Sequence, residues 1–329
     1  DISDHNSRVL IAALRENGAM TRRALAAGLG LSETAIAAIV RRLVAAGYLC
    51  ETHSADGRRG VAFRLIAGSA TAIGIHLADT AIHLAHADIC GEILAEGRAK
   101  SFEEVESWIC DVRGKAGQIS GIAIACDASA LRQAQAMAMR FSDIRVDWVR
   151  DTEAALRYER LCCGTRTDRG LAVILLDDTV RAGTMFSDRF FQGAHGRAGA
   201  IGAMRPASNV PALNDVASAA SYMAHIADNQ NPEDWTVRAA SRLLDAIVAI
   251  AGFVSPGEFR IGGRLPDTVL DRLIEGIVDE KAQRSGHFIA ADWIPEVTRL
   301  SGGMKSIARG AAMVPLRHAL LPLETQAFA

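Results

Sequence analysis

The 329-residue chain has no apolar run long enough to cross a membrane. Its longest runs, such as Leu-Ala-Val-Ile-Leu-Leu at 171–176, suit buried strands. Nothing at the N-terminus reads as a signal peptide. The six cysteines (50, 90, 110, 126, 162 and 163) lack zinc-finger spacing, and two of them are adjacent. Scattered among apolar neighbours, they read as reduced core thiols, so a cytoplasmic protein is expected. The nine histidines show no ligand spacing either. His83 and His86, three apart in a strand-like run, would point to opposite faces. No metal and no cofactor are therefore expected.

What is present begins at residues 21–49. Leu25, Leu29, Leu31, Ile36, Ile39, Val40, Leu43 and Leu49 form an apolar seam at helical spacing. Thr21 can cap a first helix, Gly30 can take the positive φ of a tight turn, and Ser32 can cap a second helix. Gly47 stops that second helix. An ordinary helical hairpin would show the same seam, so the flanks decide. Upstream, Val9, Leu10, Leu14 and Met20 suit a helix over about 8–17, capped by Asn6 or Ser7. Downstream, strand-like runs at 48–52 and 61–65 flank a polar turn holding Asp56-Gly57-Arg58-Arg59-Gly60. Three helices and a basic-tipped hairpin predict a winged helix-turn-helix.

Charge agrees. Residues 1–67 carry nine arginines and six acidic residues, although the whole chain carries 36 basic and 38 acidic residues, net −2. A positive module on a negative body fits a reader of double-stranded DNA. The exposed leading face of the second helix would be Ser32, Glu33, Thr34, Ala37, Ala38 and Arg41. Arg22, Arg23 and Arg42 suit phosphates. Arg58 and Arg59 suit a narrow minor groove. The two alanines can touch a thymine methyl but donate no hydrogen bond.

Beyond residue 67, three strand-like runs (71–78, 81–89, 92–99) read as an antiparallel meander. Ser101 and Glu104 offer a capping box for a helix to about 115. Strands at 121–126 and 143–149 and a helix at 152–163 follow. The theme restarts at 170, with strand-like runs at 171–178, 180–187 and 188–193. Next come a helix from Pro232 to about 253, a strand at 258–263, a helix, the run His287-Phe288-Ile289-Ala290-Ala291-Asp292 as a further strand, and a last helix. The expected domains are a head at 1–67, a first α/β domain at 68–165 joined by the C-terminal helix 304–321, and a second α/β domain at 166–303. A ligand cleft between related domains is the expected arrangement.

The segment Gln192-Gly193-Ala194-His195-Gly196-Arg197-Ala198-Gly199-Ala200-Ile201-Gly202-Ala203-Met204 resembles the signature of the ROK family, whose name stands for repressors, open reading frames and sugar kinases. Asp151-Thr152-Glu153-Ala154-Ala155 and Ile261-Gly262-Gly263 fall in the order that family shows, behind a winged helix like that of its xylose and N-acetylglucosamine repressors. The resemblance implies an actin-like, ribonuclease H-like two-domain body. It also implies a transcriptional regulator, expected to be a repressor of carbohydrate-related genes, working as a homodimer or homotetramer on a pseudo-palindromic operator.

The departures from the family pattern bear on chemistry. A sugar-binding Glu and a sugar- and zinc-binding His are replaced by Ala200 and Ala203. The Cys-rich zinc motif is missing from 205–222. The Asn-Asp sugar motif is Arg150-Asp151, and the Val-Pro-Gly loop is Cys126-Asp127-Ala128. Asp151 matches the family's catalytic base, but alone it reads as a helix N-cap. The phosphate-loop glycines are replaced in His76-Leu77-Ala78-Asp79-Thr80 and in Asp177-Asp178-Thr179-Val180-Arg181-Ala182-Gly183. Two carboxylates standing where a polyphosphate would lie should repel it. No enzymatic activity is expected. The effector candidates are Arg150, Asp151, Asp127 and His195, for a sugar-derived or acidic molecule. The rival readings are an active sugar kinase with an accessory DNA module, and a scaffold that ignores ligands.

Overall fold

The structure is a computed structural model that describes residues 2, 4–53, 61–78, 80–115, 119–284 and 294–322. The Arg58-Arg59 tip and the 287–292 run lie outside the described residues. So does Asp79.

The chain starts with α1 (His5–Asn17), β1 (Met20–Thr21), α2 (Arg22–Leu29), α3 (Glu33–Ala45), β2 (Leu49–His53) and β3 (Val61–Leu65). Asp4, not Asn6 or Ser7, caps α1: its carboxylate accepts the backbone N–H of Ser7. The first helix therefore starts three residues earlier than its apolar pattern suggests. Thr21 and Ser32 cap α2 and α3 as their positions predict, and Gly30 takes φ +64° between them. The three-stranded sheet runs β1-β3-β2. Its short first strand, which pairs Met20 with Phe63 and Thr21 with Ala62, has no signal in the sequence.

A five-stranded sheet follows, from β4 (Thr71–Ala78), β5 (Ala81–Asp88), β6 (Ile93–Ala99), β7 (Ile119–Cys126) and β8 (Val146–Arg150). The helices α4 (Phe102–Lys115), α5 (Leu131–Ala138) and α6 (Asp151–Leu161) accompany it. The strand order is β6-β5-β4-β7-β8, antiparallel in the meander and parallel across β4-β7-β8.

The second sheet comprises β9 (Leu171–Leu176), β10 (Val180–Phe186), β11 (Arg189–Phe190), β12 (Glu258–Gly263) and β13 (Glu296–Arg299). Its order, β11-β10-β9-β12-β13, repeats the first sheet strand for strand, with the same senses. The helices α7 (Leu213–Ala217), α8 (Ala219–Ala227), α9 (Pro232–Val254), α10 (Asp267–Arg284) and α11 (Lys305–Leu320) complete the chain. Asn231 caps α9, with Pro232 at its first position.

The chain forms two compact units: residues to Gly164 with those from Ala308 onward, and Thr165–Ile307. The winged helix does not have a core of its own. Leu10, Ile11, Leu14, Leu25, Ile36, Leu43 and Phe63 are continuous with Ala72, Ala87 and Ile89 of the sheet and with Met313 and Leu316 of α11. No single helix among the described residues is long and apolar enough to cross a membrane.

Candidate nucleic-acid interface and ligand residues

The axes of α2 and α3 bend by 114° across the Gly30 turn, within the range of a helix-turn-helix. Ile36, Ile39, Val40 and Leu43 face inward, as the seam requires. Ser32, Glu33, Thr34, Ala38 and Arg41 are exposed, and Ala37 is half-buried. Together they make one continuous outward face at the start of α3. Ser32 spends an oxygen lone pair on the Ala35 N–H at 3.2 Å, leaving its own O–H to donate outward.

The basic residues divide. Arg23 and Arg41 are exposed, while Arg22 lays its guanidinium over the Phe63 ring, 5.3 Å from the centroid. Arg42 is ion-paired with Asp4 at 2.6 Å. It ties the end of α3 to the cap of α1, so a phosphate contact by Arg42 would compete with that pair. The hydrogen bond from Ser7 and the Arg42 guanidinium hold the Asp4 carboxyl below its ordinary value.

Five contacts from four residues fasten this head to the rest of the first unit. Arg15, at the end of α1, donates from Nε to the Ile89 carbonyl at 2.8 Å and also reaches the Leu161 carbonyl. Glu16 pairs with Arg160 at 2.7 Å. Arg8 donates to the Leu321 carbonyl at 3.1 Å, and the Ile2 N–H to Ala319. Arg15 was not a candidate from the sequence. Its one signal is a position beside Leu10, Ile11 and Leu14 on the buried side of α1.

Of the ligand candidates, three come together. Cys126 and Arg150 are opposite each other where the parallel strands β7 and β8 end. Asp127 and Asp151 follow them directly, at the carboxyl edge of the sheet. Asp127 accepts from Ser129 and Ala130 backbone N–H groups at 2.9 and 3.1 Å, which shapes the loop into α5. Asp151 is buried and is the first residue of α6, with Arg150 in the cap position, and it accepts the Thr152 N–H at 2.7 Å. The N-cap reading of Asp151 is thus off by one residue, because β8 runs straight into the helix. Burial, reinforced by Asp151 and Asp127, pushes the Cys126 thiol up to about 11. Two carboxylates and the Arg150 guanidinium thus share this edge. His195 belongs to the other unit, on the short turn Ala194–Gly196.

The second unit holds the pair of carboxylates expected to repel a polyphosphate. Each has a cation. Arg181 bonds Asp177 at 2.8 Å, and Arg264 pairs with Asp178. The simple like-charge argument is therefore corrected. The position is occupied by two ion pairs, and it is the side chains themselves that stand where a backbone cradle would be. Among the described residues, no group of three or more His, Cys, Asp or Glu side chains could hold a metal ion.

Residues 3–49 match a family of winged helix-turn-helix DNA-binding domains. Over the whole chain, the structure is similar to that of a ROK family transcriptional regulator, a homologue of the Escherichia coli Mlc protein. The TM-score is 0.75 at 16% identity, covering 96% of this chain and 97% of that one. The fold is that of the ROK regulators. The ROK glucokinase of Streptomyces griseus, in complex with glucose and AMPPNP, is also similar, with a TM-score of 0.59 at 17% identity. It covers only 74% of this chain but 98% of its own. The ROK hexokinase of Thermus thermophilus behaves alike, with a TM-score of 0.57 at 16% identity over 74% of this chain and 97% of its own. In sequence, an uncharacterised protein of Sinorhizobium fredii, y4fQ, is 25% identical over 95% of this chain and 91% of its own length.

Proposed function

We propose that the chain belongs to the ROK family and acts as a sequence-specific transcriptional regulator, a repressor of carbohydrate-related genes. In this reading its kinase-like body performs no catalysis and serves ligand sensing and self-association, as a homodimer or homotetramer. The observation that carries the proposal is the exposed polar face of α3 on a winged helix that shares one core with a ROK-fold body. The two ion pairs at 177–181 and 178–264 support a body without phosphoryl transfer.

The effector in this reading is a sugar-derived or acidic molecule, with Asp127 and Asp151 as acceptors for hydroxyl groups and Arg150 as a donor beside them. Helix α6 gives such a ligand its lever. It starts at Asp151, and its last turn holds two of the head's partners, Arg160 and the Leu161 carbonyl. A ligand that moves the start of a rigid helix moves the seat of α1.

Operator selection from random duplexes with the purified chain tests the reading. A recovered pseudo-palindrome, bound more weakly when an added sugar stabilises the protein, is the expected result. No sequence preference, or ATP-dependent phosphorylation of a hexose, would overturn it.

A further inference from the structure

A cavity lies within the first unit, away from the Asp127–Asp151 edge. It measures about 480 Å³, within the size range of small-molecule sites. One wall is the meander. Ile73 is paired with His86, and Thr71 with Asp88, so Thr71 and His86 are diagonal neighbours on one face. That face packs on α4, since Ile73 and Leu84 share a core with Val105, Ile109 and Val112. The other wall is the C-terminal half of α4, with Trp108 and Val112 over the cavity. Gly97 of β6 has no Cβ to obstruct the Trp108 indole; one would stand 2.6 Å from its nitrogen. The indole therefore lies close against the strand as a flat apolar surface.

The polar atoms of this cavity are unspent. Thr71 is 3% exposed and His86 5%, yet Thr71 Oγ1 and His86 Nε2 have no hydrogen-bond partner among the described residues. Buried polar atoms are paired in the great majority of cases, so two orphans lining one cavity call for an occupant. Each can either donate or accept. Burial holds the His86 imidazole below its ordinary value despite Asp88 nearby, so it is neutral. Asp111 and Lys115, both exposed at the rim, have opposite charges and leave no net charge there to recognise.

We infer that this cavity is a ligand site for a small planar molecule whose neutral head, a hydroxyl or carboxamide, bonds Thr71 and His86 while its apolar body lies on Trp108 and Val112. The site is distinct from the candidate sugar edge, since none of Asp127, Arg150 and Asp151 lines it. It also touches the segment that joins head to body. Gly68 lines it, three residues after β3 ends, and the Gly68 N–H is fixed to the Asp88 carboxylate at 2.9 Å.

Calorimetric titration of the purified full chain, without DNA, with benzamide and phenol as probes tests the site. Benzoate and benzylamine serve as charged counterparts. Saturable binding of a neutral probe is expected, with Kd on the order of 1 mM or tighter. In a protein carrying 5-fluorotryptophan, the Trp108 resonance, assigned with Trp108→Phe, should shift on the same isotherm. His86→Leu and Thr71→Val should each weaken binding by roughly 3- to 10-fold, the worth of one hydrogen bond. Because each variant removes an unpartnered polar atom, neither should lower Tm, which separates a lost site from a lost fold. No saturation by about 10 mM would mean that water alone fills the cavity and would overturn the inference. Equal binding by both variants, or equal binding of benzoate, would overturn it as well.

Discussion

Arg15→Met should loosen the DNA-binding head from its seat more than any exposed substitution in the same helix. The Arg15 guanidinium donates to two backbone carbonyls, Ile89 after β5 and Leu161 at the end of α6. Burial lowers its pKa, so the charge is held in a poorly solvated place, and the two carbonyls compensate for that. Hydrogen bonds to a charged donor contribute about 1.5–3 kcal/mol each. Relief of the desolvation cost returns part of that, and Met keeps most of the apolar stem packing. The net loss should be roughly 2–4 kcal/mol. For a unit of this size each kcal/mol moves Tm by about 2–4 °C, so a fall of roughly 4–16 °C is expected in calorimetry. Arg15→Lys should lie between, because a single ammonium cannot reach both carbonyls in the same fork geometry. Since head and sheet share one core, the transition should stay single in the parent and shift as a whole. A change in Tm no larger than a surface substitution gives, about 0.5 kcal/mol, would refute the claim that Arg15 is the fastening.

Ser32→Ala removes the cap of α3 and should cost about 1 kcal/mol by urea denaturation, with a larger loss in operator affinity because the outward hydroxyl goes too. Arg23→Ala and Arg41→Ala should each lower the slope of log K against log salt by about 0.9 if they meet phosphates, read by anisotropy across a salt series. Asp4→Asn weakens the α1 cap and its pair with Arg42. The Asp4 carboxyl lies below its ordinary value in the folded chain, so its contribution is present at neutral pH and lost as pH falls through that lowered value. With both side chains largely exposed, the difference should stay under about 1 kcal/mol at neutral pH and vanish in acid melts. Burial pushes the Cys126 and Cys162 thiols up to about 11, while Cys110 and Cys163 are exposed. Alkylation by iodoacetamide at mildly alkaline pH, mapped by mass spectrometry, should therefore mark Cys110 and Cys163 and spare the other two.

Much of the head was legible because its signals are local. A cap, a left-handed glycine and a 3.6-residue seam fix α2 and α3 within a few residues, whatever packs around them. The strand repeat was legible for the same reason, as apolar runs of strand length separated by short turns. The losses are at the opposite extreme. Helix α5 carries no cap signal, since its cap position, Ala130, offers no side-chain bond, and the turn that starts it is shaped by Asp127 three residues earlier. Strand β1 is two residues long and exists only because β3 passes beside it. Arg15 binds carbonyls 74 and 146 residues away, a spacing no periodicity encodes. The ion pair of Arg264 escaped for a similar reason, whereas that of Arg181 lay four residues away in plain view. The carboxylates were visible in one loop, but Arg264 reaches Asp178 across 86 residues, so a loop read alone looked more negative than the folded site is.

In the segment 192–204 the glycines carry the fold, and the exposed residues between them do not. Its glycines and its polar residues do different jobs. Gly199 has φ +86°, and its carbonyl accepts the Ala182 N–H at 2.8 Å, which brings the segment so close to β10 that a Cβ would strike the Ala182 carbonyl. Gly202 leaves room for Asn214, whose Oδ1 accepts the Val180 N–H at 2.7 Å where β10 begins. These glycines hold the β9–β10 turn in place: a Cβ at 199 must move backbone, and one at 202 must displace the Asn214 side chain that holds Val180. Ala200 and Ala203 are exposed, and their methyl groups hold nothing. Losing a Glu or a His at such positions costs ligand binding but almost no stability, so nothing in the fold resists the change. The same division runs through the turn itself. Gly263, after β12, is packed against the Leu176 carbonyl, while the residues of the turn, Asp177 to Val180, face no such limit and carry side chains that Arg181 and Arg264 neutralise. The side chains of that turn can change while the scaffold still places Asp151 at one end of α6 and the seat of the head at the other.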